Sequence, residues 1–220
     1  YNDIAVVCRD LSPYRNVLDS IFNKYDISYF MDAPANALSS PLMKLVSSVF
    51  DVVVTGFHKD SILSLLKSGL VGVSTLDASL LENYIFTWSI TGKKLLDEFT
   101  ANPRGFAEEF TTDDLLELTR IEETRKFIVS PLISFSKKIK DADVRTMCEA
   151  LYNLMLSLGV TDSIRELCAS LESSGEHRLS EEQERLWEVF IDALDRTVKV
   201  IGNRKVTPKD LSRLLTLQLI

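Results

Sequence analysis

One pattern of strand, helix and strand opens the chain, and it constrains the fold most because no third strand is evident further along. Residues 4–8 form a continuous apolar run, which is typical of a strand covered on both faces of a parallel sheet. Ser12 and Pro13 are suited to begin a helix, and residues 27–30 form a second short apolar run. Because two strands alone leave unpaired sheet edges, the pattern predicts a piece of a larger protein. We therefore expect both ends of the chain to be artificial boundaries.

Helical spacing of apolar residues dominates the rest of the chain. Pro131 predicts a break near Ser130, because proline lacks a backbone donor and clashes with the preceding turn. Ser180 and Gln183 predict a capping box at a helix start. The predicted fold class is mainly α with a small α/β portion, in which a strand–helix–strand unit precedes a helical bundle. The predicted helices cover residues 41–54, 60–66, 75–88, 112–140, 144–158, 161–171, 180–201 and 208–215.

Composition and charge limit the function. The chain has 220 residues, of which 45% are hydrophobic and 26% are charged, as in ordinary globular proteins. No apolar run approaches the roughly 18 residues of a membrane span, so we expect a cytoplasmic protein without membrane contact. The formal net charge of −7 argues against tight, autonomous binding to a phosphate backbone. Any contact with nucleic acid would need a local basic patch.

No catalytic or metal site is predicted. Cys8, Cys148 and Cys168 are far apart, and we expect three buried thiols in a reducing compartment. His58 and His177 are isolated, so their spacing indicates neither zinc ligands nor a paired base.

A collection of carboxylates near the start of the long predicted helix is interpreted as a solvent-exposed face, since acids there complement the helix dipole and nearby basic residues. The collection comprises Asp113, Asp114, Glu117, Glu122 and Glu123.

A small set of cations forms the candidate nucleic-acid contacts. The irregular segment between residues 92 and 105 holds a local basic cluster, for which a solvated loop is the alternative interpretation. An arginine that ends the first predicted strand could face a nucleotide cleft or a DNA path. Alternatively, it could form a salt bridge with Asp10, with Asp32 or with a part of the larger protein that this chain lacks. The candidates are Arg9, Lys67, Lys93, Lys94 and Arg104.

The opening residues also carry a resemblance. Residues 3–10 read Asp-Ile-Ala-Val-Val-Cys-Arg-Asp, Tyr14 follows, and residues 27–32 read Ile-Ser-Tyr-Phe-Met-Asp. This order resembles the start of the second RecA-like lobe in UvrD-type helicases.

Short sequence motifs further along the chain resemble those of the B subunit of bacterial AddAB-type ATP-dependent helicase/deoxyribonucleases. This resemblance extends over nearly the whole chain. Ser40 replaces a histidine that the family often has, and Ser68 replaces a threonine. The matching motifs lie at residues 40–42, 66–70, 81–84, 91–94, 194–195 and 200–202.

The resemblance implies a domain assignment and a set of partners. It places residues 1–55 in a partial second helicase-like lobe and residues 56–220 in its helical insertion. It implies a parent subunit that pairs with a helicase-nuclease A subunit, processes double-strand DNA ends for recombinational repair, and uses ATP, magnesium and an iron–sulfur cluster. The chain itself lacks the GxxxxGK[ST] loop and the cysteine set for a cluster, so we expect no cofactor here. It would then act as a non-catalytic DNA-guiding or subunit-contact module.

Two other functions stay open at this point. The acidic charge would also suit a helical protein-interaction domain unrelated to DNA. A small nucleotide-binding α/β enzyme is the other alternative, although Arg9-Asp10-Leu11-Ser12 stands where a glycine-rich phosphate turn is expected.

Overall fold

The computed structural model describes residues 4–30, 40–106 and 109–218. The chain divides into two compact units, Tyr1–Asn36 and Ala37–Ile220. The helix that begins at Pro41 belongs to the second unit, whereas the family-based division was drawn after residue 55. That division, as an assignment of family domains, stays a prediction.

The first unit contains a 3₁₀ turn at Ser12–Tyr14 and helix α1, Arg15–Lys24. Within residues 4–30, neither predicted strand is present, so the structure does not show the strand–helix–strand lobe. A strand requires a hydrogen-bonded neighbouring strand, and residues 4–8 have none within the described part of this unit. Their side chains are exposed, and the expectation of a buried Cys8 is therefore wrong. Small residues and Pro34 predict a loop from residue 32 to residue 40, most of which lies outside the described residues.

The second unit is helical, which confirms the mainly α prediction. A 3₁₀ helix at Gly92–Leu95 interrupts the series, and an isolated antiparallel bridge joins Asp143 to Lys205. Among the described residues, no helix combines the length and apolarity that crossing a bilayer requires. The α-helices are α2 Pro41–Val54, α3 Lys59–Leu66, α4 Thr75–Thr87, α5 Thr112–Ile139, α6 Val144–Ser157, α7 Val160–Ser173, α8 His177–Ile201 and α9 Pro208–Gln218.

Side-chain caps set most of the helix starts. Ser40, Ser74, Thr111 and Asp143 each accept a hydrogen bond from a backbone N–H in the first turn that follows. These bonds satisfy donors that have no partner inside the helix.

The core of the second unit is formed by side chains from each of the helices α2 to α9. Helix α2 packs on α3 and α9, α5 packs on α4 and α6, and α8 packs on α6 and α7. Its fully buried side chains include Leu45, Val49, Phe50, Ile62, Leu65, Ile85, Ile128, Leu132, Met147, Leu151, Met155, Phe190, Leu211 and Leu215.

The predicted break at Pro131 is wrong, because α5 runs without interruption through it. Ile128, Val129, Leu132 and Phe135 are buried on either side of the proline. Burying each such side chain is worth about 1.5–3 kcal/mol. Together they outweigh the about 3 kcal/mol that proline costs in a helix interior.

The predicted capping box at Ser180 is also wrong. Helix α8 begins three residues earlier, at His177, and Ser180 is buried within it. The Ser180 hydroxyl donates to Oε1 of Glu172 on α7, 3.2 Å away. A contact between helices thus replaces the local cap.

Candidate nucleic-acid interface

The loop that connects α2 to α3 lies against the segment that follows α4. The Gly92 N–H donates to the Phe57 carbonyl oxygen at 2.9 Å, and the Lys59 N–H donates to the Thr91 hydroxyl oxygen at 3.2 Å. These bonds bring Lys59 next to the 3₁₀ helix that carries Lys93 and Lys94.

Lys59 also contacts an exposed aromatic ring. Its Nζ lies 5.4 Å from the ring centroid of Phe86, on the last turn of α4. Phe86 is 51% exposed. A cation near a ring face is an attractive arrangement, and the half-exposed ring leaves apolar surface for a ligand.

A second exposed ring, that of Phe106, lies at the same end of α4, where it contacts Trp88. Trp88, which caps the helix, donates from Nε1 to the Asn102 carbonyl oxygen at 3.0 Å. Its ring meets that of Phe106 edge to face, with centroids 5.0 Å apart. Phe106 is otherwise 91% exposed.

We call Lys59, Phe86, Lys93, Lys94 and Phe106 the basic–aromatic surface. Lys59, Phe86 and Phe106 lie at the C-terminal end of α4, and the 3₁₀ helix that carries Lys93 and Lys94 follows that end in the chain. Lysines can neutralise backbone phosphates, and exposed rings can stack on unpaired bases. This pairing of residue types suits contact with nucleic acid.

The structure separates the candidates that were predicted from sequence. Lys93 and Lys94 are exposed and have no ion-pair partner in the described part of the chain. Nζ of Lys67 lies 2.7 Å from a carboxylate oxygen of Glu82. Arg104 forms a salt bridge with Asp114. Arg9 is an exposed residue of the first unit. Of these five candidates, only Lys93 and Lys94 lie together with their charges unpaired within the described ranges.

Lys59, Phe86 and Phe106 were not among the residues predicted from sequence to contact nucleic acid. Phe86 lies 27 positions after Lys59 in sequence, so no local pattern could have paired them. Phe106 directly follows the irregular segment between residues 92 and 105, and a large apolar residue beside Gly105 was a usable signal.

A buried ion pair anchors the segment that follows Lys93 and Lys94. Arg125 donates from Nε to Oε2 of Glu122 at 2.6 Å and from Nη1 to the Leu95 carbonyl oxygen at 3.1 Å. The Phe99 N–H donates to the same Glu122 oxygen at 3.2 Å. Burial alone would raise the pKa of Glu122, but the hydrogen bonds from Arg125 and Phe99 outweigh it and lower that pKa.

Asp114 forms a second anchor, at the start of α5. It shares a capping box with Thr111, whose hydroxyl donates to Oδ2 of Asp114 at 2.7 Å. Hydrogen bonds from Thr111 are the main reason that the pKa of Asp114 is lowered. Nε of Arg104 lies 2.7 Å from Oδ1 of Asp114. Asp114 and Glu122 are both buried, so the interpretation of their carboxylates as solvent-exposed is wrong.

The described residues contain no group of three or more histidine, cysteine, aspartate or glutamate side chains placed to hold a metal ion. The expectations about metals and cofactors stay predictions.

Comparisons with known proteins give a consistent result. No model of a known protein family matches the chain. The B subunit of the ATP-dependent helicase/deoxyribonuclease of Clostridium novyi (strain NT) is 32% identical over 99% of the chain. The proteins of the same name from Clostridioides difficile (strain 630) and Clostridium botulinum (strain Loch Maree / Type A3) are 30% and 27% identical, over 99% and 98% of it. The chain spans only 18–19% of the length of these relatives. As the sequence resemblance predicted, the chain is homologous along almost all of its length to a segment of the B subunit of ATP-dependent helicase/deoxyribonucleases.

Proposed function

We propose that this chain is a DNA-guiding module within the B subunit of a helicase–nuclease that processes double-strand DNA ends. In this proposal the B subunit pairs with a helicase-nuclease A subunit. ATP, magnesium and the iron–sulfur cluster act elsewhere in the assembly, and this chain performs no chemistry of its own. The observation that carries the proposal is the homology to named B subunits along 98–99% of the chain.

The basic–aromatic surface supports a guiding role. The net charge of −7 disfavours contact with DNA over most of the molecule, so attraction must be local. Lys93 and Lys94 supply unpaired positive charge, and Phe86 and Phe106 supply rings for bases. Such a surface suits a DNA strand that has been separated from its complement.

The partial RecA-like lobe belongs to the same proposal. Residues 4–8 and 27–30 have the apolar pattern of buried strands, yet Val7 is 93% exposed in the described structure. We propose that these runs pair with strands from the rest of the parent protein, with residues 1–55 in the lobe and residues 56–220 as its insertion. Val7→Asp is then expected to lower the thermal stability of the intact parent and leave that of this chain unchanged. An equal effect on both would contradict the lobe assignment.

The experiment that tests the guiding role replaces both free lysines. A Lys93→Gln/Lys94→Gln variant of the intact parent protein, assembled with its partner, is compared with Lys137→Gln/Lys138→Gln. The control removes the same charge from an exposed lysine pair near the C-terminal end of α5. Affinity for DNA with a single-stranded end is measured as a function of salt. The surface variant is expected to reduce the slope of log affinity against log salt by about 1–2, and the control to leave it unchanged.

Two outcomes would decide against guiding. Equal DNA affinity and salt slope in both variants would contradict it. Weakened assembly with the partner at unchanged DNA affinity would instead identify the surface as a subunit contact. Neither ATP hydrolysis nor DNA cleavage is expected from the 220-residue chain alone.

A further inference from the structure

A second group of cations lines a cavity where α6 begins and α8 ends. The cavity has a volume of about 240 Å³. Its polar lining consists of Arg145, Lys199, Asn203 and Arg204, and the last turn of α8 supplies the rest of the wall. No acidic side chain contributes to this lining, in a chain whose net charge is −7.

Backbone hydrogen bonds fix the positions of these residues. The Val144 N–H donates to the Arg204 carbonyl oxygen and the Arg145 N–H to that of Gly202, each at 2.9 Å. The positive N-terminal end of α6 therefore meets the negative C-terminal end of α8. Since these helix ends carry opposite partial charges, they largely cancel, and the side chains determine the charge of the cavity.

The cations themselves are not neutralised by ion pairs. Arg145, Lys199 and Arg204 are exposed, and the described residues provide no salt-bridge partner for any of them. Asp143 caps α6 by accepting the Thr146 N–H at 2.9 Å, and this bond, with a smaller contribution from the charge of Arg145, lowers the pKa of Asp143. Its carboxylate forms no salt bridge with Arg145 among the described residues and does not line the cavity. The amide of Asn203 adds a neutral donor. Three cations and an amide thus converge with no competing anion in the lining.

We propose that this cavity binds a phosphate of a nucleic-acid backbone, so that the chain holds DNA at a second place besides the basic–aromatic surface. Guanidinium groups are well suited to phosphate oxygens because their donors lie in a rigid fork. The volume is below the roughly 300–1,000 Å³ of typical small-molecule pockets, which favours a single anionic group over a whole nucleotide. The choice of DNA as the source of that phosphate rests on the proposed function.

The test measures the affinity of the 220-residue chain for duplex DNA with a single-stranded end. Its affinity for inorganic phosphate is measured as a second probe. An Arg145→Gln/Lys199→Gln/Arg204→Gln variant is expected to bind DNA roughly tenfold more weakly, since one strong charge-assisted contact is lost. The slope of log affinity against log salt is expected to fall by about one. The matched control replaces three exposed cations that have no salt-bridge partner among the described residues, as Lys137→Gln/Lys138→Gln/Lys140→Gln, and is expected to bind as the unsubstituted chain. Unchanged circular dichroism and unfolding midpoints in both variants show that the fold is retained.

The outcomes separate this inference from the proposed function. If the cavity variant binds DNA normally while Lys93→Gln/Lys94→Gln binds more weakly, the cavity inference is overturned and the guiding role stands. If the unsubstituted chain binds neither DNA nor inorganic phosphate, the cavity inference is overturned, whereas the guiding role is decided by the lysine variants of the assembled parent. If phosphate binding depends on the three cations but DNA binding does not, the site takes free phosphate, and a backbone contact is overturned.

Discussion

Arg125 and Glu122 lie three residues apart on α5 and form a buried ion pair that holds the carbonyl of Leu95 and the N–H of Phe99. The two residues are only 6% and 7% exposed. Leu95 is the last residue of the 3₁₀ helix that carries Lys93 and Lys94. The ion pair therefore helps to fix the position of these two lysines, which are the proposed DNA contacts. The stability of the chain and the geometry of its candidate site therefore depend on the same two side chains.

Arg125→Leu is expected to destabilise the chain by about 3 kcal/mol, because it leaves the buried Glu122 carboxylate with only the more exposed Lys126 ammonium, 3.4 Å away, as a cationic partner. The measurement is the free energy of unfolding in urea at pH 7. The matched control is Arg165→Leu, which breaks an arginine–carboxylate pair of the same spacing with Asp162 on the surface of α7. That change is expected to cost less than about 1 kcal/mol. Similar losses in the two variants would contradict the structural role of the Arg125–Glu122 pair.

Stability is expected to fall in acid partly through Glu122. Its pKa in the folded chain lies below the ordinary value of 4.5, so the folded state holds that proton less tightly than the unfolded state. The contribution is therefore present above the unfolded pKa and is lost as the pH falls through the folded pKa. Unfolding midpoints measured from pH 6 to pH 3 should fall more steeply in the unsubstituted chain than in Glu122→Gln. Parallel curves would show that Glu122 titrates alike in both states.

The three thiols are expected to differ in reactivity. Burial raises the pKa of the Cys148 thiol to about 11, and Cys168 is buried as well, whereas Cys8 is exposed. Since the thiolate is the reactive form, a disulfide reagent at pH 8 should modify one thiol quickly in the native chain and three after denaturation. Cys8→Ser should remove the fast reaction. A fast reaction that persists in that variant would contradict the burial of the two helical cysteines.

Local chemistry explains which parts of the fold the sequence could predict. The starts of α2, α4 and α6 were predicted within a residue, from Pro41 at the first position of α2 and from the capping side chains of Ser74 and Asp143. Capping bonds span about three residues and leave a sequence signature. Two features could not be predicted in this way. Helix α5 continues through Pro131 because of packing with distant segments, and Ser180 lies inside α8, where its hydroxyl donates to Glu172 of α7. Packing between distant segments leaves no local pattern.

The distinction between local sequence patterns and contacts of distant residues also applies to the candidate sites. Lys93 and Lys94 were found because they are adjacent in a glycine-bounded segment. Lys59 and Phe86 come together only through the fold, and Arg145 meets Lys199 and Arg204 across more than 50 residues of sequence. Charge content alone could not show that Lys67 and Arg104 are engaged by carboxylates. Pairing between distant residues decides which cations remain free.

Free and paired cations are expected to contribute unequally to DNA affinity. Lys93→Gln should weaken binding of single-stranded DNA to the 220-residue chain several-fold at low salt, because its charge is unpaired among the described residues. Lys67→Gln and Arg104→Gln should each weaken it less than twofold, because Glu82 and Asp114 already hold those charges. Affinity is measured by fluorescence anisotropy at two salt concentrations. Glu82→Gln, which frees Lys67, should strengthen binding at low salt. Equal losses for Lys93→Gln and Lys67→Gln would show that net charge governs the interaction, rather than the pairing of individual side chains.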